Sequence, residues 1–202
     1  MKKLTIVSIA ISLLFISSIF AMELGKKTPQ FSLIDSEGKT HNLSDYKDKY
    51  VVLEWVNYDC PFVKKHYSTN NMQNLQKKYT QKGVIWLSIC SSADSKQGNF
   101  KGAKLIERIK KEGSNSTAYL IDEEGKVGKS YGAKTTPHMF IINPDGRLIY
   151  SGGIDDTPST DPADIADAQN YVNLALDEAL SGKEVSIKYG RPYGCSVKYK
   201  KN

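Results

Sequence analysis

The chain has 202 residues, a net charge of +6, and 40% hydrophobic against 25% charged side chains. With the first 21 residues set aside this is enough for one domain with a full core and too little for two. Lys2 and Lys3 hold two of the positive charges, so residues 22–202 carry only +4; the other lysines are scattered and not grouped with aromatics, a solvated surface that gives no ground for nucleic-acid binding.

Met1 to Ala21 reads as an export signal. Lys2 and Lys3 form the charged start, Leu4 to Phe20 is an uncharged apolar run, and Ala21 offers a small residue for cleavage. The run is short for a spanning helix, so export to a bacterial periplasm is expected ahead of an uncleaved membrane anchor. The three cysteines, Cys60, Cys90 and Cys195, are an odd number for an oxidising compartment. At most one intramolecular disulfide can form, which excludes a disulfide framework.

Residues 22–182 are expected to fold as the domain, and residues 183–202 to form a C-terminal tail carrying Cys195. In chain order, Phe31, Leu33 and Gly38 indicate a short strand entering a hairpin turn, followed by a loop over residues 42–46. Val51 to Val56 is a buried strand. Cys60 comes next, then Pro61 at the first position of a helix running to Gln81, with Met72, Leu75 and Tyr79 inward and Gly83 beyond its end. Val84 to Cys90 is a second buried strand. A strand–helix–strand unit of this kind is parallel with a right-handed crossover, which brings Cys60 and Cys90 toward the same carboxyl edge of the sheet. A cysteine ending a strand is otherwise ordinary packing.

A polar loop, a helix over Ala103–Lys111, a strand over Thr117–Asp122 and a brief helical segment from Gly125 to Gly132 lead to Thr136-Pro137-His138. Met139–Ile142 and Arg147–Tyr150 are joined by Asn143-Pro144-Asp145-Gly146, a strong antiparallel hairpin signal. A last helix starts from Asp161 and Pro162, turns Ile165, Val172, Leu176 and Leu180 inward, and stops at Gly182. Asp155, Asp156 and Asp161 sit among Gly, Pro and Ser and read as a capped polar loop.

Cys60 is the candidate for chemistry. At a helix start the unpaired N–H groups and the positive end of the dipole favour a thiolate, and Lys64, Lys65 and His66 add positive charge. Cys195, in Arg191-Pro-Tyr-Gly-Cys195, stands either on a mobile arm able to reach Cys60 or on a tail docked for good; Tyr189 and Tyr193 argue for docking. Glu54, in a strand covered on both faces, is read as a proton relay for Cys60.

The order of elements, with Gly25 to Leu33, Asp59-Cys-Pro-Phe-Val-Lys64, Trp86-Leu-Ser-Ile, Tyr131-Gly-Ala, Thr136-Pro137 and Gly152 to Asp156, resembles the AhpC/TSA, peroxiredoxin-like branch of the thioredoxin superfamily. Within it the chain is closest to the group with a Cys-Pro-Phe/Tyr-Val-Lys signature. The resemblance implies an α/β, thioredoxin-like fold with a mixed central sheet flanked by helices, and Cys60 as the reactive cysteine. It further implies Pro137 as a cis-proline facing that sulfur and Thr136 as the residue presenting its backbone to substrate.

Two departures bear on activity. Leu53 and Asn57 stand where the main peroxiredoxin type has Pro and Thr or Ser; Asn57 is left as the hydrogen-bonding residue for substrate. Val63 stands where a thioredoxin dithiol has its second cysteine.

The expected function is therefore reduction of hydroperoxides by Cys60, with Cys195 or Cys90 or an external thiol resolving its oxidised form. Exchange with protein or small-molecule disulfides is the alternative, and soft-metal binding by Cys60, His66, His138 or Cys195 the second. Lys64 and Glu54 support the sulfur. No cofactor and no resident metal are expected. The partners are a hydroperoxide or disulfide substrate and a thiol reductant, either a thioredoxin-like protein or a small thiol.

Overall fold

The structure is a computed structural model and describes residues 22–201, so the export signal read from Met1–Ala21 lies outside the described residues. Among the described residues nine strands and five α-helices follow one another. β1 (Ser32–Asp35) and β2 (Thr40–Asn42) form the opening hairpin, and β3 (Val51–Trp55) leads into α1 (Pro61–Ser68) and α2 (Asn71–Thr80). Then come β4 (Ile85–Cys90), α3 (Gly102–Glu112), β5 (Ala118–Ile121), α4 (Lys126–Tyr131), β6 (Thr135–Thr136), β7 (His138–Ile142), β8 (Leu148–Gly152), α5 (Tyr171–Leu180) and β9 (Cys195–Ser196).

Seven strands make one mixed sheet in the order β2-β1-β5-β4-β3-β7-β8, with β3, β4 and β5 parallel and the outer pairs antiparallel. This is the thioredoxin-like arrangement. Every residue of β3 is buried because helices cover both faces. Val52 and Val56 join the core under α1, α2, α3 and α5, while Val51, Leu53 and Trp55 join the core shared with Val127 and Tyr131 of α4.

Two helices differ from the sequence reading. The long helix to Gln81 is two helices, because Thr69 caps α1 with its hydroxyl on the Lys65 carbonyl at 2.9 Å and Asn70 turns left-handed at φ 60°. A run of Ser, Thr and two Asn offers the backbone side-chain partners that compete with helical bonds. In the last helix, Asp161 and Pro162 start only a 3-10 turn, Pro162–Ile165; the α-helix begins at Tyr171, where Asn170 accepts the Asn173 N–H at 2.8 Å.

The tail is docked along its length. Residues 188–190 run beside the β8 edge, with Ser151 N donating to Lys188 O at 3.1 Å and Gly190 N to Ser151 O at 3.2 Å. The contact requires a bare backbone at Gly152, where a Cβ would lie 2.0 Å from the Gly190 carbonyl. Further on, β9 pairs antiparallel with β6, and Tyr199 reaches the other side of the sheet to donate to Ala133 O at 2.8 Å.

Candidate active site

Cys60 is the N-cap of α1 and is wholly covered. Its thiol donates to the Thr136 carbonyl at 3.0 Å, and the Thr136–Pro137 bond beside it is cis. Pairing of β6 with β9 sets Cys195 directly opposite Thr136, so the third cysteine of the sequence arrives at the first. Between Tyr193 and Cys195 the chain passes through Gly194 at φ +126°, where a Cβ would fall 2.1 Å from the Thr136 carbonyl. Only glycine fits that path.

The two sulfurs are electrostatically unequal. Burial pushes the Cys60 thiol up, but hydrogen bonds from the Cys195 thiol and backbone, from Thr136 and from the Val63 N–H outweigh it and bring the thiol below its ordinary value. Cys195 moves the other way, to about 11, through burial and through its hydrogen bond and charge repulsion with Cys60. Cys60 is therefore the sulfur that ionises first. Among the described residues the Thr136 hydroxyl is buried with no partner elsewhere, which leaves it for the sulfur. No disulfide joins the cysteines in this reduced state.

The other sequence-predicted residues divide sharply. Asn57 is buried, but its carbonyl oxygen takes the Asp59 N–H at 2.9 Å and its amide donates to Gln97 O at 3.3 Å. These bonds hold the turn that leads into Cys60. Lys64 is exposed. Arg191 is exposed as well.

Glu54 makes no hydrogen bond to Cys60. Its carboxylate receives Tyr67 Oη at 2.8 Å, Gln76 Nε2 at 3.0 Å, Trp86 Nε1 at 2.8 Å and Ser88 Oγ at 3.0 Å. Burial pushes its pKa up against these four donors. The geometry makes it a tie between β3, β4, α1 and α2, with no direct proton path to sulfur.

Cys90 does end β4 at the same sheet edge, but its thiol turns to the Gly98 carbonyl at 3.5 Å. His138, next to the cis-proline, accepts the Lys134 N–H at 3.2 Å and is held to about 4 by burial and by Lys134. Among the described residues no cluster of three His, Cys, Asp or Glu side chains is arranged to hold a metal.

Sequence reasoning missed a buried polar group beside the cysteines: Lys65, His66, Asp155 and Tyr193. The sequence reads Lys65 and His66 as positive charge near Cys60, yet Lys65 Nζ turns to the Thr157 carbonyl at 3.2 Å, and burial, with Lys65 beside it, holds His66 neutral at about 3. The helical spacing that made α1 a basic surface helix places both residues inward, and only the position of the tail reveals it.

Three comparisons bear on this geometry. The Redoxin family model matches residues 23–171. Thiol-disulfide oxidoreductase ResA of Bacillus thuringiensis subsp. konkukian is 30% identical over 128 residues, covering 63% of this chain and 68% of its own. Peroxiredoxin Bcp of Bacillus subtilis is 28% identical over 149 residues, covering 63% of this chain and 83% of its own. An uncharacterized conserved protein of Geobacillus kaustophilus superposes with a TM-score of 0.76 at 28% identity, over 91% of this chain and 95% of that one.

Proposed function

Because the chain belongs to the Redoxin family, we propose that it is an exported dithiol–disulfide oxidoreductase in which Cys60 is the nucleophile and Cys195 the resolving cysteine. The observation that carries this reading is β9, which sets Cys195 against the carbonyl that receives the Cys60 thiol. The unequal sulfurs fit the roles, one lowered toward the thiolate and one kept protonated. The similarity to a thiol-disulfide oxidoreductase supports the same chemistry.

The Cys60 thiolate attacks one sulfur of a substrate disulfide and expels the other as a thiolate, leaving Cys60 in a mixed disulfide. Cys195 loses its proton and attacks the Cys60 sulfur; the second substrate sulfur leaves as a thiol, and Cys60 and Cys195 end as a disulfide. The substrate has gained two electrons and the protein has lost two. A thioredoxin-like protein or a small thiol returns the protein to the dithiol. Since Cys60 is wholly covered, a substrate disulfide needs a local opening around it to reach the sulfur.

Reduction of hydroperoxides is the second reading, and the Bcp similarity favours it. There the thiolate takes one oxygen as a sulfenic acid and releases an alcohol or water, and Cys195 condenses with it to the same disulfide and a second water. Leu53 and Asn57 at the positions of Pro and Thr or Ser in the main peroxiredoxin type weigh against it.

Residues 22–202 treated separately with oxidised glutathione and with hydrogen peroxide, then alkylated and mapped by mass spectrometry, test both. We expect a Cys60–Cys195 disulfide with glutathione disulfide, and none in Cys60→Ser. Faster closure with peroxide would transfer the assignment to the second reading, and a Cys60 inert to both would sink the redox function.

A further inference from the structure

Tyr193 stands two residues before Cys195 and is held by a directed chain of hydrogen bonds that the sulfur chemistry itself does not use. The Asn71 amide donates to His66 Nδ1 at 2.8 Å, so the ring proton lies on Nε2, which faces the Tyr193 oxygen at 3.2 Å. Tyr193 in turn donates its hydroxyl to Asp155 Oδ1 at 2.5 Å. Asp155 also accepts the Thr157 N–H at 3.0 Å, and Lys65 holds the Thr157 carbonyl. His66 is 0% exposed, Lys65 1%, Asp155 2% and Tyr193 8%.

A buried cluster of this kind is weak evidence for stability, since well-packed apolar side chains in its place are often no less stable. What it does supply is one geometry. It fixes α1, the helix that Cys60 heads, to the segment that ends at Cys195, with Phe62 of α1 packed edge-on against the Tyr193 ring at 5.9 Å. Gly194, without a side chain and in contact with Thr136, carries that fixed point to the sulfur.

We propose that the Asn71–His66–Tyr193–Asp155 chain is a positioning device for the redox pair, with Tyr193 as the positioning residue that holds Cys195 over Cys60. This rests on the assignment of Cys60 and Cys195 as that pair. Closing a disulfide between two groups held in place is favoured by their effective concentration, which falls once one of them is released.

The experiment is equilibration of residues 22–202 in glutathione redox buffers, with the Cys60–Cys195 disulfide quantified by alkylation. Tyr193→Phe keeps the ring and removes only the hydroxyl. It is expected to lower the effective concentration about tenfold, a reduction potential about 30 mV less negative. Asp155→Asn, which keeps an acceptor oxygen for Tyr193, stays near the wild-type equilibrium, while Asp155→Ala gives the same shift as Tyr193→Phe and serves if the latter does not fold. Tyr79→Phe is the control, since it loses a buried hydroxyl bond to the Asn173 carbonyl at 2.9 Å away from the cysteines and should leave the equilibrium where it was.

A Tyr193→Phe equilibrium equal to wild type overturns the proposal, as does an equal shift in Tyr79→Phe, which would trace the effect to general stability. A wild type that forms no Cys60–Cys195 disulfide overturns the redox pair itself and the positioning with it. A wild type that forms it, unaffected by Tyr193→Phe or Asp155→Ala, overturns the positioning alone.

Discussion

Glu54 and Asp155 are both carboxylates buried against α1, and each receives a tyrosine hydroxyl, Tyr67 in one case and Tyr193 in the other. Burial pushes both pKa values up. Their surroundings differ. The donors to Glu54 come from α1, α2 and β4, elements joined within the first half of the domain, and none is a residue that titrates near neutrality. Asp155 binds across from the loop after β8 to the tail, with the imidazole of His66 and the ammonium of Lys65 beside it. One carboxylate fastens the frame that holds Cys60, and the other fastens the segment that delivers Cys195. Similar burial and similar partners thus brace the sheet in one place and, in the proposal above, position Cys195 in the other.

The sharpest break of that contrast is Glu54→Ala. It leaves the Tyr67, Trp86 and Ser88 donors without an acceptor while Gln76 keeps the Tyr67 oxygen at 3.0 Å, and unpaired buried polar groups are the costly case, so the loss should be about 3–5 kcal/mol. Urea unfolding reads it. The folded fraction should still close the Cys60–Cys195 disulfide at the wild-type equilibrium; if Glu54→Ala shifted that equilibrium as Tyr193→Phe is expected to, the division between the two centres would fail.

A smaller effect separates the centres by pH. In the folded chain His66 titrates at about 3 and His138 at about 4, both below the usual imidazole value of about 6.5 because burial disfavours the charged ring. The unfolded chain therefore binds protons that the folded chain refuses. Their contribution is complete above about 6.5 and is lost as pH falls toward these folded values. The raised carboxyls of Glu54 and Asp155 oppose this, since protonation relieves the cost of burying them. His66→Gln isolates one imidazole of the Asp155 centre. Its stability deficit against wild type should narrow by about 1.4 kcal/mol per pH unit between pH 6 and 4; a deficit independent of pH would show that His66 is protonated in the fold.

The frame was largely legible from the residues. Alternating apolar strands, Pro61 after Cys60, the Asn143-Pro144-Asp145-Gly146 turn and Thr136-Pro137 each act over a few positions, and local chemistry of that range can be read along a chain. The capped loop read around Asp155 is present, its carboxylate on the Thr157 N–H at 3.0 Å, but the burial of Lys65, His66 and Asp155 escapes the sequence for the opposite reason. A basic pair on a helix and an aspartate near Gly and Pro have surface as their ordinary setting, but here His66 and Asp155 meet Tyr193, 127 residues after His66 and 38 after Asp155, and Lys65 turns to the Thr157 carbonyl. Glu54 was correctly placed in a covered strand, but nothing in its neighbours told that Trp86, Gln76 and Ser88 would take up its oxygens. The split of the long helix at Asn70 lay within reach, since Ser68-Thr69-Asn70-Asn71 is a run that favours turns.

The smallest expected effect tests how far sheet position alone assigns chemistry. Cys60 and Cys90 both follow parallel strands at the edge where open α/β sheets bind ligands, so the topology treats them alike. Their difference lies in what meets each sulfur. Cys60 has the helix start, the Thr136 carbonyl and Cys195; Cys90 is buried with its thiol on Gly98 and no second cysteine. Cys90→Ala should therefore cost about 1 kcal/mol for one lost buried atom and leave the Cys60–Cys195 equilibrium unchanged. The decisive variant is Cys195→Ser. If Cys60 then closes on Cys90 instead of remaining in a mixed disulfide with glutathione, proximity at the sheet edge suffices for resolution and the docked tail loses its role. If the mixed disulfide persists, the C-terminal strand supplies the second sulfur that the helix carrying Cys60 lacks.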